Sequence, residues 1–383
     1  MRLPKVFAAI SYFFFLNARA ILLPVPDTPY LVKWTSSELI NHGFPDPFNT
    51  SHTRRIMISR YTPVRKRDCL ETCRLPYMPE FIASVQDDIF QADVGNETVW
   101  PRGILASFEV EMCCKERRGA SHRHSNQGDF PLLLLGPGLN TTRYWYSGMG
   151  QSLAGMGFEV VVMDHPYETD VVQFPDGSVI YGGRVPADAE AVEELRFALE
   201  VRAKDATLVL DTLKVPKSAK VGFVGSSFGG PAAAVAMIRD ERIAAGVNLD
   251  GGMFGAGVAE AGAVRPFLIF GADGHNTSSD ETWGGFWNAT AGRRPVPWMK
   301  ELSVVNATHR TFMDFSLVGE ISEELRRLEF GGVVSGIWAM EMMREYLKDF
   351  FRFALKGGGE GLLAGPRGRF PEVKFLRSQG NRP

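Results

Sequence analysis

No sign of charge dominates this chain. Its 42 lysine and arginine residues stand against 44 aspartate and glutamate, a net charge of −2 over 383 residues. A protein held to nucleic acid by phosphate neutralisation needs a basic surplus, so that class is excluded. Cysteine is scarce, at four residues, too few for a small scaffold built on disulfides. Long apolar runs are missing as well. The run over residues 6–16 falls short of the ~20 residues that cross a bilayer, and no later segment is both long and apolar enough. What is abundant is glycine (40) and proline (23), which argues for many tight loops and against a helical bundle or coiled coil. Hydrophobic residues at 45% and charged residues at 22% are ordinary for a globular core and exclude global disorder. At roughly 150 residues per domain the length suggests two or three, but one large α/β sheet can absorb all of it.

The N-terminus has the layout of a secretory signal. Arg2 and Lys5 precede the apolar run, and Ala18-Arg19-Ala20 fits small-x-small cleavage. Residues 1–20 are therefore expected to be a signal peptide, with an uncleaved anchor as the alternative. Six N-x-S/T sequons begin at Asn49, Asn96, Asn140, Asn276, Asn288 and Asn306. With eleven asparagines and Ser plus Thr at about a tenth of positions, chance supplies roughly one. The cysteines form two close pairs, Cys69/Cys73 and Cys113/Cys114. A bridge between adjacent cysteines is strained, so one of the first pair is expected to bond to each of the second. The spacing does not suit zinc. All this points to a secreted, extracellular glycoprotein.

Residues 21–105 are mixed and rich in proline and polar residues. Within them, Arg54-Arg55 and Arg65-Lys66-Arg67 read as solvated loop. Phe108, Val110 and Met112 alternate with polar residues, as in a half-buried strand, and a polar loop with His122 and His124 follows. Then short apolar runs bounded by Gly or Asp recur at residues 131–135, 158–163, 220–224, 245–249 and 266–270. Such runs fit strands buried on both faces of a parallel sheet. Helical stretches lie between them at 141–156, 187–213 (Glu and Arg on its polar side) and 231–239. The alternation specifies a doubly wound, mostly parallel α/β sheet flanked by helices. Ile337, Met340, Met343, Leu347, Phe350, Phe351 and Ala354 mark a terminal amphipathic helix. The expected layout is a single domain over 21–356, with 21–125 carrying both cysteine pairs and 126–356 forming the catalytic core. Residues 357–383 read as a Gly-rich, loose tail.

Gly225-Ser226-Ser227-Phe228-Gly229 is a G-x-S-x-G motif set between a strand and a helix, the context in which it forms a nucleophile elbow. The turn must thrust a hydroxyl out of the sheet's edge, and its neighbours must be tiny or strand and helix collide. Gly225 and Gly229 meet that demand, and Pro231 falls in the first helical turn, where a missing N–H costs little. Ser226 in this turn points away from the site, leaving Ser227 as the nucleophile. A serine hydroxyl needs a base, and in this chain order the base comes last. Only His275 and His309 follow Ser227. His165, at a strand end, reads as a structural turn residue bonded to backbone. Asp250 and Asp273 both end strands at the correct edge, and position alone does not separate them as the acid. The oxyanion hole needs two backbone N–H groups: one from Phe228, the other from the loop Gly136-Pro137-Gly138-Leu139, with Leu139 as donor.

The segments Gly225 to Gly230 (G-x-S-F-G-G), Asn248-Leu249-Asp250 and His309-x-x-Phe312-x-Asp314-Phe315, with Gly138-Leu139 followed by Tyr144 and Tyr146-Ser147, resemble the secreted platelet-activating-factor acetylhydrolase family of the α/β-hydrolase superfamily. Asp164-His165-Pro166 and Phe174-Pro175-Asp176-Gly177 bring the resemblance closest to fungal members. It covers roughly residues 130–355. It implies the α/β-hydrolase fold, a Ser227–Asp250–His309 triad, Leu139 and Phe228 as oxyanion donors, and Asp273 as runner-up acid. It further implies hydrolysis of the short sn-2 acyl group of a phospholipid, with peripheral contact to a lipid surface, and with neither calcium nor any metal or organic cofactor. Position 226 is Ser where animal members have His, and the N-terminal third matches poorly. Two other readings fit the residues: a cutinase-like, polyester or general carboxylesterase, and a secreted binding glycoprotein that has lost catalysis. The oligomeric state is not legible here.

Two sequons adjoin the expected site, since Asn140 follows Leu139 and Asn306 is three residues before His309. Glycopeptide mapping should therefore find lower occupancy at Asn140 and Asn306 than at Asn49 or Asn96; the reverse order would contradict the placement.

Overall fold

The computed structural model describes residues 20–24, 27–95, 97–117, 130–255 and 257–380. Residues 1–19 of the expected signal peptide 1–20, His122, His124 and Asn96 lie outside the described residues. The strands, in chain order, are β1 (Ile21–Leu22), β2 (Tyr30–Pro45), β3 (Thr53–Arg65), β4 (Cys69–Pro76), β5 (Phe108–Glu116), β6 (Leu132–Gly136), β7 (Glu159–Met163), β8 (Val171–Gln173), β9 (Val179–Tyr181), β10 (Val221–Ser226), β11 (Ile243–Leu249), β12 (Phe267–Gly271), β13 (Met299–Val304) and β14 (Val373–Gln379). The main helices are α1 (Glu80–Val94), α2 (Ser147–Gly155), α3 (Val192–Thr212), α4 (Gly229–Arg239), α5 (Glu281–Ala291) and α6 (Gly336–Lys356).

Nine strands form one sheet in the order β14-β13-β12-β11-β10-β6-β7-β3-β2. The six from β7 to β13 are mutually parallel. The chain runs from β6 outward to β7 and then returns to place β10 on the other side of β6. That reversal is the switch point at which α/β sheets open a crevice beyond their strand ends. Successive residues of the central strands bury into opposite layers, as a period of two requires. Leu133, Leu135, Val160, Val162 and Val224 pack with Met340, Leu347, Phe350 and Phe351 of α6. Leu134, Val161 and Phe223 pack with Leu195, Ala198, Leu199 and Val209 of α3 and the alanines of α4. This is the α/β-hydrolase fold.

Four expectations need correction. The mixed N-terminal stretch contains a long hairpin, β2–β3, whose inner strand pairs antiparallel with β7. Its pattern hides because β2 is an edge strand and β3 buries a charge. Arg54 is not solvated loop: it is 4% exposed and its guanidinium bonds Asp205 (2.6 and 3.0 Å) and Asp46 (3.1 Å). The tail is not loose either. Phe370 and Val373 are buried, and β14 pairs antiparallel with β13 along the sheet's edge. A strand whose partner is distant in sequence leaves no local apolar period to read. Ile337, counted in the stripe of α6, is 44% exposed; the other six face the core.

The second sheet, β1-β5-β4, carries both disulfides. Cys69 bonds Cys113 and Cys73 bonds Cys114, each with Cα atoms 5.9 Å apart, so the bridges cross between strands. Among the described residues no helix is long and apolar enough to cross a membrane.

Stopping the chain after residue 365 removes β14 and uncovers the hydrogen-bonding edge of β13. We expect melting to fall by at least ~5 °C, given ~2–4 °C per kcal/mol in a large domain. An unchanged melting temperature would show that the edge strand contributes nothing.

Candidate active site

The turn after β10 is as tight as its residues demand. Ser227 has φ 53°, a left-handed conformation that costs a non-glycine residue energy and clusters at functional sites. It is held there by its own N–H, which donates to Leu249 O (2.8 Å), and by its carbonyl, which accepts from Gly230 N–H (2.8 Å). A Cβ at Gly225 would lie 1.8 Å from Gly229 O, and one at Gly229 would lie 2.1 Å from Gly136 O. Any side chain at either position would push α4 off the sheet. Ser226 is buried, at 1% exposure, and does not line the cleft; Ser227 does.

Beside this turn, Gly225 pairs with Gly136, which brings the loop after β6 to the same edge. Arg202 of α3 grips that loop. It is 1% exposed, donates to Pro137 O (2.6 Å) and Gly138 O (3.3 Å), and pairs with Glu168 (2.7 Å). Its guanidinium also lies 4.8 Å from the Phe228 ring centroid. Gly138 N–H donates to the Tyr146 hydroxyl (3.0 Å) and Asn140 N–H to Glu168 O (3.2 Å). Burial, only partly offset by its hydrogen bonds, pushes the Tyr146 phenol up to about 12. The amides flanking this pocket are thus committed, whereas Leu139 N–H and Phe228 N–H have no partner among the described residues. The sequence placed Arg202 on the polar side of a helix. It lies on the buried side, because the loop supplies carbonyls and Glu168 supplies charge.

Asp250 follows β11 in a left-handed turn, φ 58°, and is 5% exposed. Its Oδ2 accepts from His309 Nδ1 (2.6 Å). Its Oδ1 accepts from Ala272 N–H (2.7 Å) and His275 Nδ1 (2.8 Å). Burial opposes ionisation, but the bonds from His275, His309 and Ala272 outweigh it and hold the carboxyl down at about 2. Asp273, the other acid the sequence allows, accepts from Asn306 N–H (2.8 Å) and bonds neither imidazole.

Both later histidines therefore meet Asp250, and their second nitrogens separate them. His275 Nε2 bonds Asp280 Oδ2 (2.9 Å). His309 is about half exposed, and its Nε2 has no hydrogen-bond partner among the described residues. Ser227, Asp250, His275 and His309 line one cleft of about 560 Å³, with Leu139, Phe228 and Phe254 on its walls. Ser227 and His309 are not hydrogen-bonded to each other here; such contacts commonly tighten only when substrate binds. A larger cleft of about 730 Å³ lies between β2 and α3, with neither serine nor histidine among the described residues of its walls.

One further residue behaves otherwise than the sequence suggested. His165 bonds Asp205 through Nδ1 (2.8 Å), not backbone, and shares that carboxylate with Arg54. Burial lowers its pKa. Asp314, from the segment after His309, is buried and accepts from Gly148 N–H (2.7 Å), Met149 N–H (3.3 Å) and the Tyr77 hydroxyl (3.0 Å). It ties the His309 loop to the start of α2, and burial pushes its carboxyl up to about 7. Among the described residues no group of three or more His, Cys, Asp or Glu is placed to hold a metal ion.

Fold and cleft define an α/β-hydrolase, and the structural likeness narrows this to a carboxylic-ester hydrolase. A ferulic acid esterase from Streptomyces cinnamoneus superposes with a TM-score of 0.74 at 25% identity, covering 94% of this chain and all of that one. In sequence the chain is 36% identical over 369 residues to the probable 1-alkyl-2-acetylglycerophosphocholine esterase of Arthroderma benhamiae, covering 93% of this chain and 94% of the relative. A platelet-activating factor acetylhydrolase from Cavia porcellus is 23% identical over 248 residues, 56% of this chain and 55% of its own. No family model matches. The chain belongs to the 1-alkyl-2-acetylglycerophosphocholine esterase, or platelet-activating-factor acetylhydrolase, family.

Arg202→Met would remove the grip on the loop and leave Glu168 buried without its cation. Breaking a buried pair costs ~3–5 kcal/mol. Chemical denaturation should show a loss of that order, and an unchanged midpoint would contradict the assignment.

Proposed function

We propose that the protein is a secreted serine esterase, with residues 1–20 removed and 21–356 acting as one catalytic domain. Its reaction is release of short acyl groups, above all the sn-2 acetyl of platelet-activating-factor-like phospholipids. The observation that carries the mechanism is the 2.6 Å bond from His309 Nδ1 to Asp250, which leaves Nε2 free on the cleft side where Ser227 sits.

His309 Nε2 takes the Ser227 proton as Oγ attacks the ester carbonyl. Asp250 holds the imidazole in the Nδ1–H tautomer and stabilises its charged form. Leu139 and Phe228 N–H groups receive the oxyanion. Collapse of the tetrahedral intermediate expels the alcohol, which His309 protonates. Water then attacks the acyl-enzyme by the same steps and releases the acid. The base is His309 and not His275, because both nitrogens of His275 already face carboxylates. The two disulfides and six sequons support an extracellular location, where bridges persist, and glycan attachment at the sequons. The Streptomyces neighbour, whose name gives ferulic acid esters as its substrates, favours a second reading: a general carboxylesterase acting on non-lipid esters through the same triad.

Ser227→Ala and His309→Ala should each lower kcat on p-nitrophenyl acetate by ~10⁴-fold or more, and Ser227→Ala should abolish labelling by a fluorophosphonate. Activity surviving near the wild-type rate would end the triad assignment. Failure of the wild type to label would favour a binding protein without catalysis. Relative kcat/KM on an sn-2-acetyl phospholipid, methyl ferulate and polyester film decides between the substrate readings.

A further inference from the structure

His275 has no role in the steps above, yet it is the most constrained side chain in the cleft. Its Nδ1 faces Asp250 Oδ1 at 2.8 Å and its Nε2 faces Asp280 Oδ2 at 2.9 Å. An ionised carboxylate only accepts hydrogen bonds, so both ring nitrogens must carry protons and the ring must be a cation. The ring stacks on Trp283 with centroids 4.1 Å apart, and Trp283 is fixed by its own N–H bond to Gly251 O (2.7 Å). Asp280 is equally fixed, since its Oδ1 caps α5 by accepting from Thr282 N–H (2.8 Å) and Trp283 N–H (3.3 Å). The charged groups around the ring are Asp250 from the turn after β11, Asp280 at the start of α5, His309 beyond Asp250, and Asp188 across the cleft. Among the described residues no lysine or arginine lines the cleft.

We infer that His275 is a positioning residue for the ester hydrolysis proposed above: as an imidazolium at neutral pH it clamps the second oxygen of Asp250, fixing the carboxylate plane that orients His309 and tempering its negative charge. This rests on the Ser227–His309–Asp250 reading. Two consequences follow from the geometry. With both oxygens held, Asp250 cannot rotate away from His309 between acylation and deacylation. And because the His275 cation shares the carboxylate with His309, removing it leaves the full negative charge of Asp250 to His309 alone. The pairing with Asp250 and Asp280 outweighs burial and pushes His275 up to about 9, so the clamp holds through neutral pH and fails as pH rises through that value.

The test is His275→Gln, which retains a donor toward Asp250 but has no charge, assayed on p-nitrophenyl acetate with active sites counted by fluorophosphonate labelling of Ser227. We expect kcat per active site to fall about tenfold, with KM changed less than about twofold. The acid limb of the kcat/KM profile should move up by about half a pH unit or more. The wild type should lose activity near pH 9 by a step that the variant lacks. Unchanged kcat, or a lower kcat with an unmoved acid limb, would overturn the inference, the second outcome marking a purely structural residue. Should His275→Gln fail to fold, Asp280→Asn decides: it keeps the helix cap and removes the outer carboxylate. A smaller shift of the acid limb in the same direction supports the clamp, and none overturns it. Wild-type protein that hydrolyses the ester without labelling at Ser227 would instead fail the triad itself, and the clamp with it.

Discussion

The site depends on one carboxylate. Asp250 is buried at the end of a central strand, and its ionisation in that setting is sustained by three donors: His309, His275 and Ala272 N–H. An unpaired carboxylate there would neutralise itself; a neutral one would no longer stabilise a charged imidazole. The donors come from two segments, Ala272 and His275 from the loop after β12 and His309 from the turn after β13, so both segments converge on two oxygen atoms. The left-handed turn at Asp250 is tolerable because Asp is among the few residues that visit that region readily.

The nucleophile side obeys a parallel logic with backbone in place of charge. Gly225, Gly229 and Gly136 allow strand, helix and loop to approach within distances that no Cβ would permit. The close approach leaves Leu139 and Phe228 N–H groups together at the cleft while neighbouring amides are engaged. Arg202 then locks the loop by its carbonyl side. Burying that guanidinium is unfavourable alone, and Glu168, the loop carbonyls and the Phe228 face compensate. In the mechanism proposed here such preorganised donors need no reorganisation when charge develops, which would connect the buried Arg202–Glu168 pair to the chemistry of the cleft.

Much of this was legible in the sequence. The apolar runs marked five of the six parallel strands, and the G-x-S-x-G context marked the elbow, because these features depend on residues adjacent in the chain. The adjacency of Cys113 and Cys114 was enough to exclude a bridge between them and point to the crossed pairing. The hairpin β2–β3, the strands β13 and β14, and the buried ends of Arg54 and Arg202 were not legible. Their patterns are set by partners more than a hundred residues away in several cases, as with Arg54 and Asp205, and a charged residue gives no local sign that its counterion waits elsewhere in the fold.

Composition, motif and order along the chain determined the class of fold, the serine and the short list of acids and bases, since these follow from local sterics and from which residue types can do acid–base chemistry. Between Asp250 and Asp273, and between His275 and His309, the residues alone were silent. Only the tertiary structure tells their surroundings apart, because a hydrogen bond is a matter of ångströms in space: Asp273 meets a backbone amide, His275 meets a second carboxylate, and His309 bonds Asp250 through Nδ1 alone, the difference on which the proposed triad rests.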